Sequence, residues 1–304
     1  MLNEIIVSDD RITARRLISN AVERIDKNCP NKPFVIEGYY RDYLKKEDDY
    51  ISFLESALTV QDPGINKPDS KTKVRVNQVR FNKNYIENFR KYCKKDESDT
   101  IKEIMEGFSP FVNGNEFTNM KSNNPIRNHS TEIPIVGLFD QFYMSNLKFE
   151  IAYNISVDGR RVYVIHFEPS EMFKYHYVQV VGEVYIREDD YAILKFEYKY
   201  FLSLFREKKK LYELNVEYRE YQGKMFLNYI SFVNYFKIYT GDEIAELYQY
   251  REFFVNDIHF PKFESIREKE ALDDTIPFHE YGMESDPDFW NNYNAVLLEK
   301  PFKN

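Results

Sequence analysis

Phe149-Glu150-Ile151-Ala152-Tyr153-Asn154-Ile155-Ser156-Val157, then Asp158-Gly159, then Arg160-Arg161-Val162-Tyr163-Val164-Ile165-His166-Phe167 is the stretch that decides the fold. Two runs rich in β-branched and aromatic residues flank an Asp-Gly pair. That dipeptide suits the two positive-φ positions of a tight hairpin turn. The pattern recurs downstream. Tyr177 to Arg187 and Tyr191 to Phe201 flank Glu188-Asp189-Asp190, while Leu211 to Tyr221 and Met225 to Ile238 flank Gln222-Gly223. Successive strands joined by tight turns pair antiparallel.

Upstream, Phe34, Ile36, Gly38 and Tyr40 alternate with Val35, Glu37, Tyr39 and Arg41, which is the period of a strand. Tyr50 to Val60 returns after the polar turn Lys45 to Asp49, and Val74 to Phe81 offers a third strand. Before them, Ala14, Leu17, Ile18, Ala21, Val22 and Ile25 recur at three and four within Arg11 to Lys27. This predicts one helix capped by Asp9 or Asp10. Asn84 to Lys94 reads as helical, Thr100 and Glu103 have capping-box spacing, and Ile135 to Met144 reads as a short apolar helix. Residues 109–134 read as a long polar loop, and 260–304 as an irregular tail. Residues 242–258 fit a helix capped by Asp242 or a strand. The expected class is α+β: a large, curved, half-barrel-like antiparallel sheet with an N-terminal helix and a few helices on its concave face. Residues 9–304 read as a single domain.

Composition excludes several functions. The net charge of −8, with both signs spread along the chain, argues against a nucleic-acid partner. The basic run Arg206 to Lys210 is short and reads as a solvated turn or strand end. No run of about 18 apolar residues occurs, so no membrane-spanning helix is expected. Ten glycines leave little room for a phosphate-cradling loop, and 25 Tyr with 25 Phe favour pleated strand surfaces. Cys29 and Cys93 belong to no C-x-x-C pair and are either one disulfide or two free thiols.

Among chemistry-bearing residues, His129 and Glu132 have the H-x-x-E spacing of two zinc ligands, with His259 as a distant third. They lie in an Asn-rich loop, which reads as solvated. His166 with His176 and Glu168 would make a cross-strand metal pair, against a hydrogen-bonded strand histidine. His279-Glu280 has no evident partner. Glu188, Asp189 and Asp190 read as a turn, and Asp273-Asp274 as a loop. No catalytic, cofactor or metal set emerges, so the expectation is a non-enzyme. Tyr198, Tyr200, Tyr212, Tyr218, Tyr221, Tyr229 and Tyr235 alternate on neighbouring strands. They read as core pairs, or, for Tyr198, Tyr200, Tyr218, Tyr229 and Tyr235 above all, as the lining of a ligand cavity.

Several segments together resemble a known family. Glu37-Gly38-Tyr39-Tyr40-Arg41-Asp42-Tyr43 follows a helix ending in Asn28-Cys29-Pro30-Asn31-Lys32-Pro33-Phe34. Asp158 to Ile165, Gly182-Glu183-Val184-Tyr185-Ile186, Tyr191-Ala192-Ile193-Leu194 and Asp288-Phe289-Trp290-Asn291-Asn292-Tyr293-Asn294 complete the set. This is similar to the region C-terminal to the regulatory β-sandwich in carboxypeptidase-like regulatory domain-containing envelope proteins of Gram-negative bacteria. The similarity spans most of the chain and is weakest between Asn66 and Ile133. It implies that 1–8 is a linker or the last strand of a preceding β-sandwich. It also implies a periplasmic or outer-membrane-associated location. The pattern from Gly182 to Leu194 resembles, at fold level, the half-barrels that carry lipoproteins across the periplasm. Together these lead to a non-catalytic envelope module holding an apolar ligand, such as an acyl chain, or a partner protein segment. The alternatives are a structural or docking domain and, last, a zinc-dependent hydrolase.

Overall fold

The hairpin turns form as their chemistry requires. Asp158 and Gly159 have φ of 50° and 75°, and Gln222 and Gly223 have 48° and 72°. These are paired left-handed positions whose twist matches the flanking strands. The computed structural model describes residues 12–82, 85, 87, 115–129, 141–174, 178–204, 207–240, 243–260, 265–281 and 284–293. Among them the strands are β1 (Phe34–Lys46), β2 (Asp49–Asp62), β3 (Lys73–Phe81), β4 (Leu147–Val157), β5 (Arg160–Pro169), β6 (Val178–Arg187), β7 (Ile193–Leu204), β8 (Glu207–Tyr221), β9 (Lys224–Thr240) and β10 (Glu243–His259). They form one open antiparallel sheet in the order β3-β2-β1-β10-β9-β8-β7-β6-β5-β4. The helices are α1 (Ala14–Glu23), α2 (Ile25–Asn28), α3 (Glu116–Lys121), α4 (Gln141–Asn146) and α5 (Pro287–Asn292). The class is α+β. Among the described residues no helix is long and apolar enough to cross a membrane.

Several expectations are corrected. The first helix starts at Ala14, capped by Thr13, whose Oγ1 accepts from the Arg16 amide at 3.3 Å. Asp9 and Asp10, expected as the cap, lie outside the described residues. The helix also breaks at Arg24, which divides α1 from α2. The stretch read as a long loop contains α3, whose Phe117 and Met120 are buried. Apolar side chains spaced by three anchor it despite the many Asn residues around them. Of the helix expected over Ile135 to Met144, the last four residues fall in α4 (Gln141–Asn146), and 135–140 lie outside the described residues. The predicted features at Asn84 to Lys94 and at Thr100 and Glu103 lie almost wholly outside the described residues. Of the readings left open, residues 243–259 take the strand, and Lys208 to Lys210 stand at the start of β8, the strand end of the two alternatives. In the tail, Trp290 on α5 is buried.

Contacts divide the chain into two compact units. The first comprises residues 1–32, 64–67 and 122–230, and holds β4 to β8. The second comprises 33–63, 68–121 and 231–304, and holds β1, β2, β3 and β10.

In the first unit, one sheet face carries Tyr163, Ile165, Phe167, Val184, Ile186, Phe196, Tyr198, Leu214 and Val216, all buried. Register places them side by side: Ile165 opposite Val184, Val184 opposite Phe196, and Phe196 opposite Val216. α1 packs against β4 and β6 and buries Leu17, Ile18 and Ala21. Arg15 fixes the approach by donating to the carbonyls of Met144 at 2.9 Å and Leu147 at 3.0 Å. Gly182 is required here. A Cβ at that position would run into the Glu197 carbonyl and the Phe167 ring.

In the second unit, β1 pairs with β2 and, across more than 200 residues of sequence, with β10, from Val35 opposite His259 to Lys46 opposite Leu247. Tyr39, Ala57 and Trp290 form one cluster, with Phe254, Phe289 and Tyr293 against it. On the other face Tyr40 meets Phe117 edge-on and lies against Phe278.

Candidate functional site

The first unit has an open groove of about 730 Å³ at the hairpin end of β4 to β9. It lies mainly on the face opposite the α1-covered core. Ile155 on β4 is opposite Val162 on β5, which is opposite Arg187 on β6. Tyr185 on β6 is opposite Lys195 on β7, which is opposite Glu217 on β8. All of these line the groove, together with Val157, Arg219 and the turn residues Asp158, Gln222 and Gly223. A register shift between β6 and β7 pairs Ile186 with Ile193 and Tyr185 with Lys195. The extra residue, Leu194, also reaches the groove, as a bulge allows.

The groove therefore has an aliphatic floor of Ile155, Val157, Val162 and Leu194 and a charged rim. Most of the rim is internally neutralised. Arg187 donates to both Asp190 oxygens, from Nε at 2.9 Å and Nη2 at 2.5 Å, and to Glu220 from Nη1 at 2.7 Å. Arg160 donates to Asp189 from Nε at 2.8 Å and to Glu220 from Nη1 at 3.3 Å. Partial burial raises the Asp190 pKa, but the Arg187 hydrogen bonds and nearby cations outweigh it and hold the carboxyl below its ordinary range. Lys195 Nζ lies 2.6 Å from Glu197. Tyr185 donates to Glu183 at 2.9 Å, and burial, reinforced by hydrogen bonding, pushes its phenol pKa up. Arg219 differs. Among the described residues it has no ion pair, and its Nε is shielded from solvent with no hydrogen-bond partner.

The second unit holds a sealed polar centre. Asp42 on β1 accepts from Arg251 Nε at 3.0 Å and from Gln249 Nε2 at 3.1 and 3.2 Å. Asp42 is 2% exposed and Arg251 3%. Glu116, 1% exposed, starts α3. It accepts from the Phe278 amide at 3.0 Å and from the Tyr85 hydroxyl at 3.3 Å. Burial, with the Asp42 charge adding, pushes the Glu116 pKa up to about 7 against the pull of Arg251. Burial also raises Asp42, opposed by Arg251.

The residues singled out from sequence fall as follows. Of the five tyrosines offered as ligand lining, Tyr218 reaches the groove; it is largely buried and donates to Asn124 Oδ1 at 2.7 Å. Tyr198 is buried and edge-on to Tyr212, on which Tyr200 stacks at 4.7 Å. Tyr229 is half-buried on β9, and Tyr235 is edge-on to Tyr248 at 5.4 Å. Tyr221 is edge-on to Phe226.

His129 Nδ1 lies 2.8 Å from the Ile126 carbonyl, and His259 is half exposed beside Asp257 at 3.5 Å. Glu132 and His176 lie outside the described residues. His166 sits on β5 opposite Glu150 and Glu183, and Glu168 is 3.6 Å from Lys148. His279 lies against the Tyr85 ring and 3.9 Å from Glu280. Glu188 accepts from Tyr163 at 2.7 Å. Hydrogen bonds from Thr275 hold Asp273 below its ordinary range, and Asp274 accepts from Thr118 at 2.7 Å. Among the described residues no cluster of three His, Cys, Asp or Glu side chains has metal-binding geometry. Cys29 is buried, which pushes its thiol up to about 12; Cys93 lies outside the described residues.

The sequence reading missed Arg219, Leu194 and Val157. Glu217 and Arg219 alternate with Val216 and Tyr218, a pattern indistinguishable from an ordinary solvated strand face.

No protein-family model matches the chain, and no curated protein does. Solved structures similar to it include a DUF1329 family protein from Desulfovibrio piger. The match is at 9% identity and a TM-score of 0.29, over 83% of this chain and 95% of that one. Lipovitellin, described for its lipid–protein interactions, matches at 7% identity and a TM-score of 0.28, over 82% of this chain and 28% of that one.

Proposed function

We propose that the chain is a non-catalytic binding module that holds an apolar portion of its ligand in the groove of the first unit. The observation that carries this is the aliphatic floor. Ile155, Val157, Val162 and Leu194 line an open cavity of about 730 Å³, a volume within the ~300–1,000 Å³ usual for small-molecule sites. Val157 is 37% exposed there. Covering such a surface releases apolar area from water. Among the described residues no histidine lines the groove, and of its carboxylates Asp158, Glu217 and Glu220, the last two accept hydrogen bonds from Asn215 and from Arg187 and Arg160. This favours binding over acid–base chemistry.

The test is fluorescence titration of the full chain with a neutral apolar dye, N-phenyl-1-naphthylamine, beside a Val157→Glu variant. Saturable enhancement that the variant weakens at least tenfold supports the reading. Equal signals from both proteins would sink it.

The cell-envelope location belongs to the same proposal and rests on the segments resembling Gram-negative envelope proteins. Fractionation of the native host, probed with an antibody to the chain, checks it. Recovery in the cytosolic fraction alone would overturn it.

A further inference from the structure

The geometry points to Arg219 as the residue that reads an anionic head, making the groove selective for a single-chain carboxylate over a neutral molecule of equal length. This deepens the binding-module reading and rests on it. Among the described residues four cations line the groove, and three are already neutralised: Arg160 by Asp189 and Glu220, Arg187 by Asp190 and Glu220, and Lys195 by Glu197. Arg219 has no such partner among the described residues, and its Nε has lost solvent without gaining an acceptor.

An N–H left in that condition is unfavourable until an oxygen reaches it. A guanidinium presents its donors as a planar fork that fits a carboxylate with two parallel hydrogen bonds. The aliphatic side chains beside it satisfy a hydrocarbon tail and nothing polar. An alcohol offers Arg219 a single neutral acceptor, while a carboxylate offers opposite charge and two parallel hydrogen bonds. Asp158, Glu217 and Glu220 also line the groove. Their charge opposes an anion, so a preference for a carboxylate has to come from Arg219. The cavity, at about 730 Å³, has the scale of one small amphiphile, which favours a free acid over a two-tailed lipid.

The experiment is calorimetric titration of the full chain at pH 8 with dodecanoate and with dodecan-1-ol, both below their aggregation limits. The expected result is binding of both, with dodecanoate tighter by about tenfold or more. Arg219→Gln should erase that preference, with dodecanoate losing most of its advantage and dodecan-1-ol affinity changing far less, while Arg219→Lys keeps part of it. Melting curves report whether the variants fold. If they do not, the wild-type preference and its decline with added salt still decide the matter. Equal affinities for acid and alcohol in the wild type would overturn the role of Arg219 and leave the apolar groove standing. Binding of neither would overturn both. Failure with free dodecanoate alongside co-sedimentation with phosphatidylglycerol vesicles would overturn the single-chain assignment.

Discussion

Arg251 and Arg219 each stand on a strand of the same antiparallel sheet and meet opposite fates. In the second unit, Arg251 is 3% exposed, with Asp42 at 3.0 Å and Gln249 completing the carboxylate's hydrogen bonds. α3 and the segment around Phe278 close over that face through Phe117, Glu116 and Phe278. In the first unit, Arg219 borders an open groove and has no acidic partner among the described residues. A buried charge must be paired because its desolvation is otherwise uncompensated. A charge only partly withdrawn from water, as Arg219 is, need not be, and it stays available to a ligand. The difference teaches where to look for function: in the unit that leaves a cation unspent, not in the one with the denser polar network.

The largest effect is expected from breaking the sealed centre. Arg251→Met leaves Asp42 buried without its cation, and urea unfolding should register a loss of about 3–5 kcal/mol. Adding Asp42→Asn to that variant should restore much of it. A single-variant loss under 1 kcal/mol would show that the centre is wetter than its burial indicates.

Glu116 sharpens the contrast through pH. Its pKa rises from an ordinary 4.5 to about 7 on folding, so the folded chain holds this proton more tightly than the unfolded one. The stabilisation is full below pH 4.5 and disappears as pH climbs to about 7. Over that window the loss is on the order of 3 kcal/mol. Glu116→Gln keeps an acceptor for the Phe278 amide and removes the titration. The wild-type minus variant difference in chemical unfolding should therefore grow unfavourable to wild type from pH 4.5 to 7, then flatten. A difference that stays constant with pH would refute the assignment.

Smaller effects belong to the groove unit. Tyr218→Phe deletes the hydrogen bond to Asn124 and should cost about 1 kcal/mol by thermal or urea unfolding. A loss above 3 kcal/mol would place this tyrosine in a sealed network like that of Asp42. Lys195→Met removes a half-exposed pair with Glu197 and should shift stability by no more than about 0.5 kcal/mol. A larger change would mean that the rim charges are less solvated than their exposure implies.

What the sequence by itself determined is the local grammar. Asp158-Gly159 and Gln222-Gly223 dictate left-handed two-residue turns, and the runs around them alternate with the period of strands. The hairpins, the antiparallel class and the amphipathic stripe of α1 were therefore legible, because a turn's φ angles and a strand's period are properties of adjacent residues. Tertiary structure alone decided the pairing of β1 with β10. It also decided the state of Glu243–His259, whose Ile244, Leu247 and Tyr248 suit a helix as well as a strand. The edge of β1 supplies the partners that satisfy that backbone, and no local signal encodes a pairing across more than 200 residues. The same holds for the site. Arg160, Arg187, Lys195 and Arg219 look alike in sequence, and which of them is left without an acid depends on neighbours brought together by folding.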